Sequence, residues 1–327
     1  MIRVGVIGVG GMGGAHCNTL PKVKNCEFVG VADLRLEAAE KIASQHQIQA
    51  FQDYHRLLEI VDGVIVATPP FAHREVVVNA AKMNVHTFCE KPLSVDLADS
   101  EAMIQASDEA NTLLMVGQVL RFYPVHTLGK DLINQGQIGD VVYIETDYTG
   151  PYSCPRSRPS SWYGSIGGLL ENGIHKSDLI NWFGGTAITV SAEVGSYSGH
   201  DDWEDYAITL IRYDSEAVGI LRWGSFMGVR GTNDTIIDGT TGSLKLNMQT
   251  DTAYLKKIDQ SEWQEIVPDR SVPHGVEGEL THFVNCIREG KTPIVDGRAG
   301  KHAVEVVLAS YHSAKEKVKV NLPMKDS

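Results

Sequence analysis

The chain opens with short, almost wholly apolar runs separated by stretches whose apolar residues recur every three or four positions. Residues 2–7, 27–32 and 63–67 are of the first kind, as are 85–88 and 113–116. Residues 36–46 are of the second, with Leu36, Ala39, Ile42 and Ala43 at helical spacing, followed by helical stretches at 73–83 and 96–110. The run Gly63-Val64-Ile65-Val66-Ala67 suits a strand covered on both faces. Strand and helix in alternation predict a doubly wound α/β unit with a parallel sheet, whose ligands sit at the carboxyl ends of the strands.

Past Arg121-Phe122-Tyr123-Pro124 the pattern changes. A helix to about residue 135 leads into an alternating, half-exposed strand over 140–148. A loop rich in Pro, Ser and Arg over 150–165 and a helix over 168–183 follow. Residues 188–267 read as five or six strands broken by Asp214-Ser215, Gly239-Thr240-Thr241-Gly242 and Asp259-Gln260. Strands without intervening helices argue for a large, mainly antiparallel open sheet. Two closing helices, over 276–288 and 300–315, are expected to return and brace the domains. The expected division is therefore residues 1–123 and 124–327.

The first strand ends in Gly8-Val9-Gly10-Gly11-Met12-Gly13, and residues 14–20 can continue as a helix. Gly8 permits a tight turn, Gly10 lets backbone approach a pyrophosphate, and Gly13 lets the helix pack near the strand. The free N–H groups at the helix start then hold the phosphates. Asp33 ends the second strand, twenty residues beyond Gly13, where a carboxylate accepts both ribose hydroxyls of NAD and repels a 2′-phosphate. Arg35 lies within reach of such a phosphate, so NADP stays open. Thr68, Pro69, His73, Glu90, Lys91, Gly117 and Gln118 all fall at or just past strand ends and complete the expected cofactor cleft of a Rossmann domain.

Composition narrows the partners. A length of 327 residues suggests about two domains, and 43% apolar residues suits globular cores. A net charge of −12, without a basic stripe, disfavours nucleic acid and anionic membrane surfaces. Five cysteines without a CxxC pair argue against a disulfide framework or a zinc knuckle and fit a reducing cytoplasm. No run is long enough to span a membrane, and the glycines that break the first apolar stretch argue against a signal peptide. No metal site is expected.

Two constellations carry candidate chemistry. Glu90-Lys91-Pro92 leaves a strand beside the nucleotide cleft, where a lysine can donate to a hydroxyl oxygen or carry a proton. A surface lysine before a helix-starting proline is the plainer reading. In the stretch 167–178, Glu171, His175 and Asp178 fall along one face of a helix, so carboxylates flank an imidazole that can serve as general base. The plainer reading is a stabilising surface set. Arg121, Tyr148 and Trp162 are further candidates for substrate contact, each equally able to be a packing residue. His16, His86, His126 and His200 have no evident partners.

Taken in order, the glycine turn, Thr68-Pro69-Pro70 with His73, Glu90-Lys91-Pro92, and Glu171-x-Gly173-x-His175-x-x-Asp178 resemble the Gfo/Idh/MocA oxidoreductases, which include glucose–fructose oxidoreductase and inositol dehydrogenase. The closing stretch, from Gly278-Glu279-Leu280 through Gly290-Lys291-Thr292-Pro293 to Asn321-Leu322-Pro323, is similar to theirs as well. The resemblance implies a Rossmann domain followed by a domain with a large open sheet that binds substrate and pairs subunits into a dimer or tetramer. It also implies an NAD(P)-dependent dehydrogenase of a sugar, cyclitol or related polyol, with Lys91, His175 and Glu171 around the reacting carbon. Glu171 stands where many members have Asp. Some relatives implied by the resemblance are glycosidases or epimerases that recycle NAD, and a few are regulators without chemistry.

Overall fold

The computed structural model describes residues 1–150, 163–197, 203–224 and 232–324. The chain forms two units, one of Met1–Val119 with Pro273–Lys301 and the other of Leu120–Val272 with the segment from His302 onward.

The first unit runs β1 (Ile2–Ile7), α1 (Gly11–Thr19), β2 (Cys26–Ala32), α2 (Leu36–His46), β3 (Gln49–Phe51), α3 (Tyr54–Leu58), β4 (Gly63–Val66), α4 (His73–Lys82), β5 (His86–Cys89), α5 (Leu97–Glu109) and β6 (Leu114–Val116). Its six strands are all parallel, in the order β3-β2-β1-β4-β5-β6. The apolar runs fill both faces, with Val4, Val6, Val31, Val64, Ile65, Val66, Phe88 and Met115 fully buried. Each contributes about 1.5–3 kcal/mol by leaving water. Strand order reverses between β1 and β4, so the crevice that such sheets offer to ligands opens at their carboxyl ends.

The second unit begins with α6 (Pro124–Asn134), β7 (Val141–Thr149) and α7 (Tyr163–Ile166). A single π turn over Leu169–Gly173 then runs directly into α8 (Ile174–Gly184). Seven strands follow: β8 (Ala187–Gly195), β9 (Tyr206–Tyr213), β10 (Val218–Gly224), β11 (Asp234–Gly239), β12 (Gly242–Asn247), β13 (Thr252–Lys257) and β14 (Gln264–Ile266). After α9 (Gly275–Glu289) and α10 (Gly297–Glu316), β15 (Val320–Asn321) completes a nine-stranded sheet in the order β14-β13-β12-β11-β7-β10-β9-β8-β15. Among the described strands of this sheet, only β7 and β10 pair in parallel.

Two expectations change. Where five or six strands were expected over 188–267, seven form, because short turns separate runs that sequence merges. The single boundary at 123/124 also leaves out a return of the chain, since residues 273–301 join the first unit. The cause is the apolar face of α9, where Leu280, Phe283 and Val284 are buried. Phe283 meets Phe88 edge-on at 5.9 Å, and with Ile287 it closes over Gly63, where any side chain would collide.

Candidate cofactor and catalytic site

At the end of β1 the backbone turns through Gly8, at a φ of +86° that only glycine adopts without strain. A methyl group at Gly13 would overlap the carbonyl oxygen of Gly8, so α1 can lie this close to the strand only with glycine there. At Gly10 and Gly11 an added Cβ would meet nothing within 4 Å, which leaves the mouth of the turn open. Gly10 caps α1 without a side chain, and no carboxylate lies in the first turn. The N–H groups of Gly11, Met12 and Gly13 therefore begin a helix with no side-chain cap and no acidic residue in its first turn, an arrangement suited to a diphosphate.

Asp33 follows β2 with its carboxylate fixed at both oxygens. Oδ2 accepts from the Val9 N–H at 3.0 Å and Oδ1 from the Arg35 N–H at 2.9 Å. Arg35 itself is exposed, its Nε 3.6 Å from Asp33 Oδ1. A carboxylate held in this way presents its remaining lone pairs beside the glycine turn, so these residues fit the pyrophosphate and ribose of a dinucleotide.

The neighbouring strand ends are tied together beneath that turn. His73 is fully buried, with Nε2 2.9 Å from the Thr68 carbonyl and Nδ1 3.1 Å from that of Leu93, so it joins the Thr68-Pro69 loop to the loop after β5. Burial pushes its imidazole down, against the pull of the carbonyls and of Glu90. Gly117 N–H donates to the Cys89 carbonyl at 2.8 Å, and Gln118, the next residue, is also buried.

Glu90 is buried between two donors. Oε1 lies 2.6 Å from His16 Nε2, and Oε2 accepts from the Lys91 N–H at 3.0 Å. Burial works to raise its value, but the bond to His16 and the charges of His16 and Lys91 outweigh it and hold Glu90 below the usual carboxylate range. Glu279, from α9, is buried alongside, and burial together with the Glu90 charge pushes it well up. Donor atoms of His16, Glu90 and Glu279 lie within 4.8 Å of one another, but the hydrogen bond already occupies two of the three groups. The Lys91–Pro92 bond is cis, and the Lys91 side chain is half-buried at the carboxyl end of β5.

In the second unit, Glu171 lies in the π turn and His175 in the first turn of α8, both half-buried. Gly167, at φ +85°, and Gly168 start this stretch where a side chain would strike Tyr311, Glu204 or Trp223. Glu204 accepts from the Leu169 N–H at 2.7 Å and from the Tyr311 hydroxyl at 2.5 Å, and that hydroxyl accepts from Leu170 N–H at 3.1 Å. The start of the segment is thus pinned before the turn widens. Glu171 lies in the π turn, so its spacing to His175 is not that of an α-helix, while His175 and Asp178 keep α-helical spacing within α8 and Asp178 is fully buried. Asp178 binds Arg121 with two bonds of 2.8 and 2.6 Å, and the guanidinium also lies 5.3 Å from the centre of the Trp182 ring. Tyr148 is half-buried near the end of β7, opposite Trp223 of β10. Trp162, most of the loop 150–165 and His200 lie outside the described residues.

Sequence reading missed the trio His16, Glu90 and Glu279, whose members are too far apart in the chain to show a spacing. It also passed over Lys176, which is fully buried.

Residues 2–118 match a family described as an oxidoreductase family with an NAD-binding Rossmann fold, and residues 130–322 match its C-terminal alpha/beta domain. The chain is 28% identical over 336 residues to scyllo-inositol 2-dehydrogenase (NAD(+)) of Bacillus subtilis (strain 168), covering 99% of this chain and 97% of the relative. It is 30% identical over 266 residues to 2,7-anhydro-N-acetylneuraminate hydratase of Escherichia coli (strain K12), covering 78% and 70%. A solved structure of levoglucosan dehydrogenase in complex with NADH superposes with a TM-score of 0.89 at 24% identity, over 99% of this chain and 100% of that one, a likeness of fold. Among the described residues, no helix is long and apolar enough to cross a membrane.

Proposed function

This chain belongs to the Gfo/Idh/MocA oxidoreductases, and from that premise we propose that it oxidises a secondary hydroxyl of a cyclitol or sugar with NAD. The observation that carries the reading is the open glycine turn beside a fixed Asp33, which favours a dinucleotide with free ribose hydroxyls. The inositol dehydrogenase, similar over nearly its whole length, supports the substrate class.

Gly8, Gly10, Gly11, Met12 and Gly13 would hold the pyrophosphate, and Asp33 the ribose, with Arg35 at its edge. Thr68, Pro69, His73, Glu90, Lys91 and Gln118 would form the walls of the cleft. When bound, the nicotinamide supplies the hydride acceptor. Lys91 donates a hydrogen bond to the substrate oxygen, which lowers the cost of its negative charge, while Glu90 holds the lysine's backbone in place. His175 accepts the hydroxyl proton on its imidazole, and Glu171 orients that ring. Arg121 keeps α8 in register through Asp178, and Tyr148 would contact the sugar. The open sheet of the second unit would pair subunits into a dimer or tetramer. The free cysteines Cys17, Cys26, Cys89 and Cys286 suit a reducing cytoplasm.

A panel of inositols and sugars with NAD and NADP, followed at 340 nm, tests the activity. Lys91→Met and His175→Ala are each expected to lower kcat by about 10²-fold or more, with NAD affinity by calorimetry nearly unchanged. Normal turnover in both variants would refute the assignment. The hydratase relative supports a second reading, in which the cofactor is oxidised and reduced within one cycle. That reading requires NAD retained through purification and product formed without net NADH.

A further inference from the structure

Among the buried polar atoms of the second unit without a hydrogen-bond partner are Lys176 Nζ, His126 Nε2, Thr146 Oγ1 and Thr235 Oγ1. All four residues are fully buried. The ladder pairing shows that they converge. Thr146 of β7 and Thr235 of β11 are direct cross-strand partners, so their side chains rise side by side from one face of the sheet. It is the face that carries α8, because Ile144, two residues before Thr146, packs under Gly184.

Helix α8 runs along β10, with Gly173 over Trp223 and Ile180 over Gly219. Lys176 shares the helix face of Ile180 and lies between those two points, alongside Leu221, whose partner on the next strand is Thr146. From the other side, Gly129 of α6 rests on Leu246, the strand partner of Thr235. His126 lies three residues before Gly129 on the same face. The lysine and the histidine therefore reach from two helices over one pair of threonines, and the Lys176 charge is felt at His126.

The chemistry of the four groups selects their ligand. His126 Nδ1 donates to the Leu120 carbonyl at 2.8 Å, which leaves Nε2 as a lone pair that only accepts. The lysine only donates in its charged form, and each threonine can do either. A chloride-like anion would satisfy the lysine and the threonines but would face the imidazole lone pair. A water molecule accepts from Lys176 and one threonine, and donates to His126 and the other threonine, which uses all four of its bonds. Leaving the groups bare would cost each of them the hydrogen bonds it makes to water in the unfolded chain.

We propose that Lys176, His126, Thr146 and Thr235 form an internal hydration site that binds one four-coordinated water and links α6 and α8 to the sheet. Buried waters of this kind make two to four hydrogen bonds to groups that are otherwise unsatisfied, and the site supplies four.

Crystals of the whole protein grown in sodium bromide test this directly. The expected result is one oxygen-sized peak within about 2.7–3.2 Å of all four atoms, with no anomalous bromide signal. A bromide at that position, a direct Nζ to Nε2 contact, or no density would overturn the proposal. In Lys176→Met the peak should disappear, and its persistence there with unchanged contacts to the other three groups would show that the lysine is not part of the site. If that variant does not fold, the wild-type map decides alone.

Discussion

Lys176 carries an electrostatic cost that a single substitution can read. Desolvation lowers its ammonium from an ordinary 10.5 to about 7, although Asp234 and Asp147 pull the other way. A displacement of that size corresponds to roughly 5 kcal/mol against the charged form. The folded value is the depressed one, so the unfolded chain binds more protons between about pH 7 and 10.5. The penalty is therefore full below pH 7 and fades as pH rises towards 10.5. The charged and titratable groups that act with the lysine are His126 from α6, Asp147 from β7 with its partner Arg222 from β10, and Asp234 from β11. His126 is pushed down to about 3 by burial first and by Lys176 second, and stays neutral throughout this range. A bound water reduces the penalty without changing its sign. All five tryptophans, at 162, 182, 203, 223 and 263, fall within 120–272, so their fluorescence follows unfolding of the second unit. Urea titrations of wild type and Lys176→Met from pH 6.5 to 10 should show the variant gaining relative stability as pH falls, by several kcal/mol across the range. A difference constant to within about 0.5 kcal/mol would refute the reasoning.

Removing the Asp33 carboxylate, as in Asp33→Ser, should weaken NAD binding by roughly 10–100-fold and narrow the gap to NADP, because about 1.5–3 kcal/mol of charge-assisted hydrogen bonding is lost; titration of cofactor fluorescence reports both, and unchanged NAD affinity would oppose the ribose assignment. Glu279 has a raised folded value, so its contribution is complete below the ordinary carboxylate range and lost as pH rises through the folded value. Glu279→Gln should match wild type in calorimetric Tm near pH 4 and exceed it at pH 8, and a wild type that is more stable at pH 8 would contradict a proton-retaining Glu279.

What the sequence made legible was local. The glycine turn and Asp33 could be read because turn, helix start and carboxylate all lie within about one strand–helix–strand unit, where steric demands fix residue type. Helix α2 appears over Leu36–His46, as its spacing predicts. The short β3 and α3 were not legible, because three and five residues carry too little periodicity. The orientation around His175 was not legible for a different reason. The π turn takes Glu171 out of α-helical spacing with His175, and the burial of Asp178 against Arg121 depends on a partner 57 residues away that no local spacing reveals. The assignment of α9 to the first unit depends on Phe283 meeting Phe88, a contact across nearly two hundred residues that no local pattern encodes.

That return of the chain has a consequence for biogenesis. The nucleotide-binding unit is begun before the second unit and closed only after residues 120–272 of that unit have been made, since Phe283 and Ile287 must arrive before Gly63 and Phe88 are covered. Throughout synthesis of the intervening sheet, the nascent amino-terminal layer carries a bare apolar flank, and any release of the chain before residue 273 leaves that flank permanently open to aggregation or to capture by a chaperone.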